Sequence, residues 1–122
     1  MAALYLLLLG FFAAHELDAV ACREWRLLYV LRAMPEASAR AAFIALHVPL
    51  FAGLAWTATP DHSAAEAIRL GVALFAIVHA GLHYRLRGAA AYEFHSPLSI
   101  SLIAGAAICG AVYAVLSVQG VQ

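Results

Sequence analysis

The sequence predicts an all-α protein, a four-helix transmembrane bundle, and three observations support this fold class. The chain has 122 residues, of which 66% are hydrophobic and only 11% are charged. A typical soluble domain is about 45–50% apolar and about 25% charged, so this composition is typical of membrane proteins. Four long apolar segments follow one another, separated by short polar breaks. Each segment reaches the ~20 residues that a helix needs to cross a bilayer.

All four helices are predicted to form a single domain, which covers residues 1–122. Helix one is predicted over about residues 2–31, and about 20 residues from Ala2 bring the chain to the far interface near Cys22. Charged and aromatic residues that anchor helices at interfaces follow at once, in the run Arg23–Glu24–Trp25–Arg26. Pro35 breaks the helix, because proline is accepted in a first turn but not in a helix interior. Helix two is predicted over about residues 38–57.

Helices three and four carry their own start and stop residues. Ser63 and Glu66 form a capping box, and Gly88 follows the last periodic residue, so helix three is predicted over about residues 63–87. Ser96 is a good N-cap and Pro97 suits a first helical position, so helix four is predicted over about residues 97–118. Helix four contains no charge and is rich in small residues, which favours close packing between helices.

The arginines predict the orientation of the bundle. The chain has no lysine, and only Arg69 lies on the side that carries both termini. The other six lie near the opposite interface: Arg23, Arg26, Arg32, Arg40, Arg85 and Arg87. Because positively charged loops stay in the cytoplasm, both termini are predicted on the non-cytoplasmic side.

Ionisable side chains interrupt the apolar segments at matching depths. At about 1.5 Å per residue, five of them lie roughly 5–13 Å inside the cytoplasmic interface: His15, Asp18, His47, His79 and His83. His79 and His83 are spaced i, i+4, which places both on one helix face. Each such group costs roughly 2.5–3.5 kcal/mol in hydrocarbon, so groups of this kind usually face one another and mark a functional site.

A divalent metal ion is the predicted partner of this set. Neutral imidazole together with carboxylate suits zinc or non-haem iron. The predicted ligands are His15, Asp18, His79 and His83. Four further residues are candidates for orienting these ligands or for holding a second ion: Glu16, His47, Glu93 and His95.

Several functions remain open from the sequence. The metal site could belong to an enzyme that acts on a lipid-like small molecule reaching it through the bilayer. The histidines could instead bind haem with two axial imidazoles, or act only as interhelical hydrogen bonds in a structural or accessory subunit. A transporter is disfavoured, since four short spans leave little room for a transport pathway unless the chain forms a homo-oligomer. A homo-oligomer stays open. The chain has no net charge and no basic run, which argues against nucleic-acid binding. His15–Glu16–Leu17–Asp18 begins like a zincin box but lacks the second histidine, so a zincin is excluded.

A resemblance covers almost the whole chain and rests on four stretches. These are HELDA at 15–19 followed by EWR at 24–26, HVPLF at 47–51, the pair His79 and His83, and YEFHS at 92–96. Their order and spacing resemble a family of small bacterial four-helix membrane proteins described as a domain of unknown function. The resemblance implies a bacterial integral membrane protein and no particular activity.

Overall fold

The computed structural model describes residues 1–59 and 65–120, and this part of the chain is helical, without a strand. Its long helices are α1 (Ala2–Ala21), α2 (Glu36–Thr57), α3 (Ala65–Leu86) and α4 (Pro97–Val118). All four are long and apolar enough to cross a membrane. The predicted all-α fold with four membrane-spanning helices is therefore confirmed, and the helices indicate an integral membrane protein.

Helix α1 is shorter than the sequence predicts, because it ends at Ala21 and not at Leu31. Arg23 adopts left-handed backbone angles (φ 51°, ψ 45°) and turns the chain away from the helix axis. The following segment consists of short 3-10 turns at Glu24–Arg26 and Leu31–Ala33. Trp25 is buried here and packs against Phe43 of α2, with ring centroids 5.7 Å apart. Burial of this large ring favours the folded-back segment over a helix that continues into water.

The other helix ends lie close to the predicted positions. Helix α2 begins at Glu36 rather than Ser38, and α3 ends at Leu86. Helix α4 begins at Pro97, where the backbone N–H of Ser99 donates to Ser96 Oγ over 2.9 Å, so the predicted cap is confirmed. The predicted capping-box serine, Ser63, lies outside the described residues, as does His62.

Helix α4 packs closely against both α1 and α3, whereas α2 lies at the periphery. A Cβ atom at Gly110 of α4 would lie 2.5 Å from the carbonyl oxygen of Ala73 in α3, so only glycine permits this approach. In the most apolar stretch of each helix, 33% of the α4 residues are buried but only 11% of the α2 residues. Helix α2 therefore presents most of its surface to lipid.

Two buried apolar clusters frame the histidines along the bundle axis. His15 lies on α1 between Phe12 of the first cluster and Ala19 of the second. The first cluster comprises Tyr5, Leu8, Phe12, Ala73, Ala76, Ala106, Cys109 and Tyr113. The second comprises Ala19, Trp25, Leu31, Ala39, Phe43, Tyr92, Phe94 and Ile103. The polar groups thus occupy a layer enclosed by apolar packing.

Candidate metal centre

Three histidines from two helices direct the same ring nitrogen toward one point. His79 Nε2 lies 2.9 Å from His15 Nε2 and 3.1 Å from His83 Nε2. His15 and His83 are 1% and 4% exposed, so water does not surround the rings. The i, i+4 spacing places His79 and His83 on the face of α3 that packs against α1. The structure thus brings together three of the four residues that the sequence predicts as ligands.

Glu24 completes the group from the segment that follows α1. Its Oε2 lies 3.9 Å from His15 Nε2, and its Oε1 lies 3.6 Å from His83 Nε2. One ligand atom from each of His15, Glu24, His79 and His83 lies within 4.8 Å of all the others. The left-handed turn at Arg23 makes this possible, because it returns the chain toward the bundle. We refer to these four residues as the His₃Glu cluster.

The spacing of the donor atoms matches a four-coordinate ion. Metal–nitrogen bonds of about 2.0–2.1 Å in a tetrahedral site place neighbouring ligand atoms about 3.3 Å apart. The contacts of 2.9, 3.1, 3.6 and 3.9 Å lie on both sides of that value. The two Glu24 contacts involve different carboxylate oxygens, and the four ligand atoms lie within 4.8 Å of one another, so the side chains would have to move closer together to coordinate one ion.

Hydrogen bonds alone do not account well for this group. An N–H of one imidazole can be shared between two neighbours, yet three Nε2 atoms and a carboxylate converge here. The Nδ1 atoms of His15 and His83 are buried and have no hydrogen-bond partner among the described residues, so none of the four residues predicted to orient the ligands fills that role for these two rings. A cation at the centre would engage three nitrogen lone pairs and the carboxylate together.

Glu24 was not among the residues that the sequence singles out as ligands. The predicted carboxylate ligand is Asp18, and Asp18 does not belong to the His₃Glu cluster. Asp18 Oδ2 is buried, and it too lacks a hydrogen-bond partner within the part of the chain that the structure describes. From the sequence, Glu24 is predicted to pair with Arg23 or Arg26 at the membrane interface, because a straight helix one would carry it beyond the membrane. Nothing in the sequence marks Arg23 as a left-handed residue, since glycine or asparagine usually occupies such positions.

Burial also affects the Glu24 carboxyl. Removal from water raises the pKa of Glu24 to about 7, and the nearby negative charge of Glu16 adds to the rise. A positive charge beside a buried carboxylate favours its charged form. A divalent cation in the His₃Glu cluster would provide that charge.

Glu16 and His47 form a separate pair between α1 and α2. His47 Nε2 lies 2.7 Å from Glu16 Oε2, and His47 Nδ1 lies 2.7 Å from the carbonyl oxygen of Phe43. Because a carbonyl oxygen can only accept, Nδ1 carries a proton and donates to Phe43. Both ring nitrogens of His47 therefore have a partner, and the contact with Glu16 joins α2 to α1.

Glu93 and His95, the remaining candidates, lie in the loop between α3 and α4 and point away from the cluster. Glu93 contacts two arginines of the first loop, with Arg23 Nε at 3.6 Å and Arg26 Nη1 at 3.6 Å. His95 is exposed, and its ring contacts Tyr92 with centroids 5.2 Å apart. Glu93 therefore joins the two loops on this side, and the first of these loops carries Glu24.

Tyr92 and Phe94 are the residues of this loop that reach the cluster. Phe94 is 1% exposed, and its ring centroid lies 4.6 Å from that of His83 and 5.5 Å from that of His15. The Tyr92 ring contacts His83 at 5.8 Å. Tyr92 and Phe94 are buried whereas Glu93 is half-buried and His95 is exposed, and the backbone N–H of His95 donates to the carbonyl of Glu93 in a tight turn around Phe94. The alternation of aromatic and polar residues at 92–95 was the available signal.

Comparison with protein families agrees with the resemblance seen in the sequence. Residues 1–120 match the model of a family described as "Family of unknown function (DUF6713)". The chain belongs to this family. No curated protein and no solved structure matches the chain. The family description therefore assigns no chemistry to this chain.

Two cavities border the His₃Glu cluster. The first, which we call the loop groove, has a volume of about 400 Å³ and lies between α3, α4 and the loop that joins them, where His83 lines it. The second, the interhelix cavity, has a volume of about 450 Å³ and is bounded by α1, α2 and α3, where His79 lines it. Most of its other lining residues are apolar: Phe12, Leu50, Leu54, Ile68, Gly71, Val72 and Phe75. Small molecules thus have two approaches to the histidines.

Proposed function

We propose that this protein binds a zinc or iron(II) ion through His15, Glu24, His79 and His83, in the cytoplasmic half of a bacterial inner membrane. The observation that supports the proposal is the convergence of one ligand atom from each residue, all within 4.8 Å of one another. These residues come from α1, α3 and the segment after α1, which lie far apart in the sequence. Such convergence of costly polar groups in a membrane protein is typical of a functional site.

The donor set favours zinc or iron over other ions. Three imidazoles with one carboxylate are typical ligands of zinc and of non-haem iron, whereas magnesium and calcium prefer oxygen ligands. Neither Cys22 nor Cys109 belongs to the group, so a thiolate site is not formed. The single carboxylate leaves a bound divalent ion with one net positive charge, which suits a site that acts as a Lewis acid.

The same geometry favours an ion over haem. A haem iron needs its two axial imidazoles on opposite faces of a flat macrocycle. Here His15 Nε2 and His79 Nε2 lie only 2.9 Å apart, and His83 approaches from the same side. An absorption spectrum of the purified protein without a Soret band would agree with this assignment.

The finer part of the proposal is that the centre acts on a lipid-like substrate. Both cavities are lined largely by apolar residues, and each reaches one histidine of the His₃Glu cluster, His83 or His79. When bound, the metal would polarise a water or a substrate oxygen, or, in the case of iron, engage dioxygen. A structural subunit is the competing function, and it requires that the bundle folds equally well without metal.

The test is the metal content of protein purified without a histidine tag. We expect close to one zinc or iron per chain in the wild type. His83→Ala should lower the content at least about tenfold, because loss of a ligand weakens binding more than the 10–100-fold typical of outer partners. His95→Ala is the matched control and should retain the metal, since His95 is exposed and lies outside the group.

Equal metal content in His83→Ala and the wild type would contradict the proposal. Circular dichroism of both variants shows whether the helices persist, and His79→Gln, which preserves side-chain bulk, provides a second ligand variant. A wild type that folds, is free of metal and does not take up zinc or iron when either is added would support the structural-subunit function instead.

A further inference from the structure

The loop groove has a charged end and an apolar end, arranged along the membrane normal. Arg87 and His95 lie outside the helical spans, immediately after α3 and before α4. Ile100, Ile103 and Ala104 line the groove farther along α4. At about 1.5 Å per residue, these positions lie roughly 5–10 Å deeper than the start of the helix. The groove thus changes from polar to apolar with depth, as an amphiphile in a bilayer leaflet does.

Arg87 places a positive charge at the outer end of the loop groove. Its guanidinium carbon lies 3.9 Å above the centroid of the Tyr84 ring, a stacking contact that orients the planar group. No carboxylate within the described residues forms an ion pair with Arg87, in contrast to Arg26, which contacts Glu36 and Glu93. A stacked guanidinium still directs its N–H groups sideways, where they can bind a phosphate with two parallel hydrogen bonds.

The charge around the groove favours an anionic ligand. Among the described residues that line it, none is acidic, and Arg87 and His95 are the residues at its outer end. Glu93, the nearest acid in the loop, belongs to the ion pairs with Arg23 and Arg26. An anionic phosphate at this end would therefore meet a cation without competition from a neighbouring carboxylate.

His83 places the metal centre beside the middle of the groove. It lines the groove and precedes Arg87 by one helical turn, about 6 Å along the axis. A lipid phosphate bound at Arg87 would therefore place its glycerol and ester groups next to His83. The acyl chain would continue along Ile100, Ile103 and Ala104.

We infer that the loop groove binds an anionic glycerophospholipid, with its phosphate at Arg87, its acyl chain along α4 and its glycerol region against the metal centre. This inference deepens the proposed function, because it names the substrate class of the same centre. It rests on the polarity of the groove, the unpaired arginine at its outer end and the position of His83.

The test uses spin-labelled phosphatidylglycerol and spin-labelled phosphatidylcholine as probes, with the full chain in phosphatidylcholine bilayers. The fraction of motionally restricted label measures binding at the protein surface. We expect the wild type to prefer phosphatidylglycerol, and Arg87→Gln to lower the preference about fivefold, as expected for one cation at a membrane surface. Arg85→Gln is the matched control, because it removes the same charge from the same helix end but Arg85 does not line the groove.

A second pair of variants tests the apolar end. Ala104→Phe should fill the loop groove and displace both labelled lipids, whereas Gly71→Phe fills the interhelix cavity and should leave the preference unchanged. An equal loss of preference in Arg85→Gln and Arg87→Gln would overturn the inference, since general surface charge would then explain it. An unchanged preference in both Arg87→Gln and Ala104→Phe would overturn it as well.

Metal content of the same preparations separates this inference from the proposed function. Arg87→Gln and Ala104→Phe should retain the metal, whereas Glu24→Gln should lose most of it while keeping the preference for phosphatidylglycerol, because Glu24 does not line the groove. Bound metal without any lipid preference in the wild type refutes the groove inference alone. A lipid preference that depends on Arg87, in a chain that takes up no metal, refutes the proposed function alone and supports the groove as a lipid site.

Discussion

Glu24 contributes the carboxyl group of a cluster otherwise made of three imidazoles. Its two carboxylate oxygens face His15 and His83 at 3.9 and 3.6 Å. Asp18 lies nearer to His15 along the chain, yet it does not belong to the group. The two acids are therefore a natural pair of variants for testing which carboxylate binds an ion.

We expect Glu24→Gln to weaken zinc binding at least about tenfold, because the amide keeps the shape of the side chain but removes its charge. Asp18→Asn should change the affinity by less than about twofold. Competition with a chromophoric zinc chelator measures both affinities. The reverse order of effects would restore Asp18 as the fourth ligand and assign Glu24 to an outer position.

The Glu16–His47 pair shows that not every buried polar group in this protein needs a metal. Both ring nitrogens of His47 have partners at 2.7 Å, one of them a backbone carbonyl and the other Glu16. Each of these polar groups thus has a partner within the bundle, which lowers its cost in lipid. This contact holds the peripheral helix α2 against α1.

At the scale of elements, the segment between α1 and α2 decides the composition of the site. The left-handed Arg23 ends the helix, and the buried Trp25 anchors the returning chain. Trp25 Nε1 also donates to Glu36 Oε1 over 3.2 Å, which ties the segment to the start of α2. Glu24 lies between these two residues, so its position depends on both.

Arg23→Gly should be more stable than Arg23→Ala by about 1 kcal/mol, because a left-handed conformation costs residues other than glycine roughly that amount. Both variants lose the half-exposed contact with Glu93, so their difference isolates the backbone effect. Thermal unfolding in detergent, followed by circular dichroism, measures the difference. Equal midpoints would show that position 23 does not adopt the left-handed conformation in the protein.

At the scale of the whole molecule, the bundle is built from three closely packed helices and one peripheral helix. At the end away from the His₃Glu cluster, Tyr5 contacts Thr57 over 2.5 Å and Arg69 Nε donates to the carbonyl of Thr57 over 2.8 Å. Arg69 thus satisfies a carbonyl at the C-terminus of α2, a position where a cation is favourable. This contact explains the single arginine on that side without a role in orientation.

We predict that both termini lie outside the cytoplasm, because six arginines lie near one membrane interface and only Arg69 lies near the other. A phosphatase reporter that works only outside the cytoplasm should be active when fused after Gln122. A fusion at the loop near Arg32 should be inactive and serves as the control. The opposite pattern would place the metal centre and the loop groove in the other leaflet.

Local properties of the chain were enough to predict the helices and part of the site. Apolar length indicated four spans, and Ser96 with Pro97 correctly marked the start of α4, because caps depend on neighbouring residues only. Depth and the i, i+4 spacing also selected His15, His79 and His83, since helix geometry relates sequence distance to position.

Only the tertiary structure decided which carboxylate joins these histidines and which loop residues face them. Glu24 reaches the group through a left-handed Arg23, and Phe94 covers it while Glu93 pairs with arginines. These outcomes depend on Trp25 burial and on contacts between loops that are distant in sequence. The free-energy difference between such contacts and local backbone preferences is small. No periodicity in the sequence indicates which conformation is more stable.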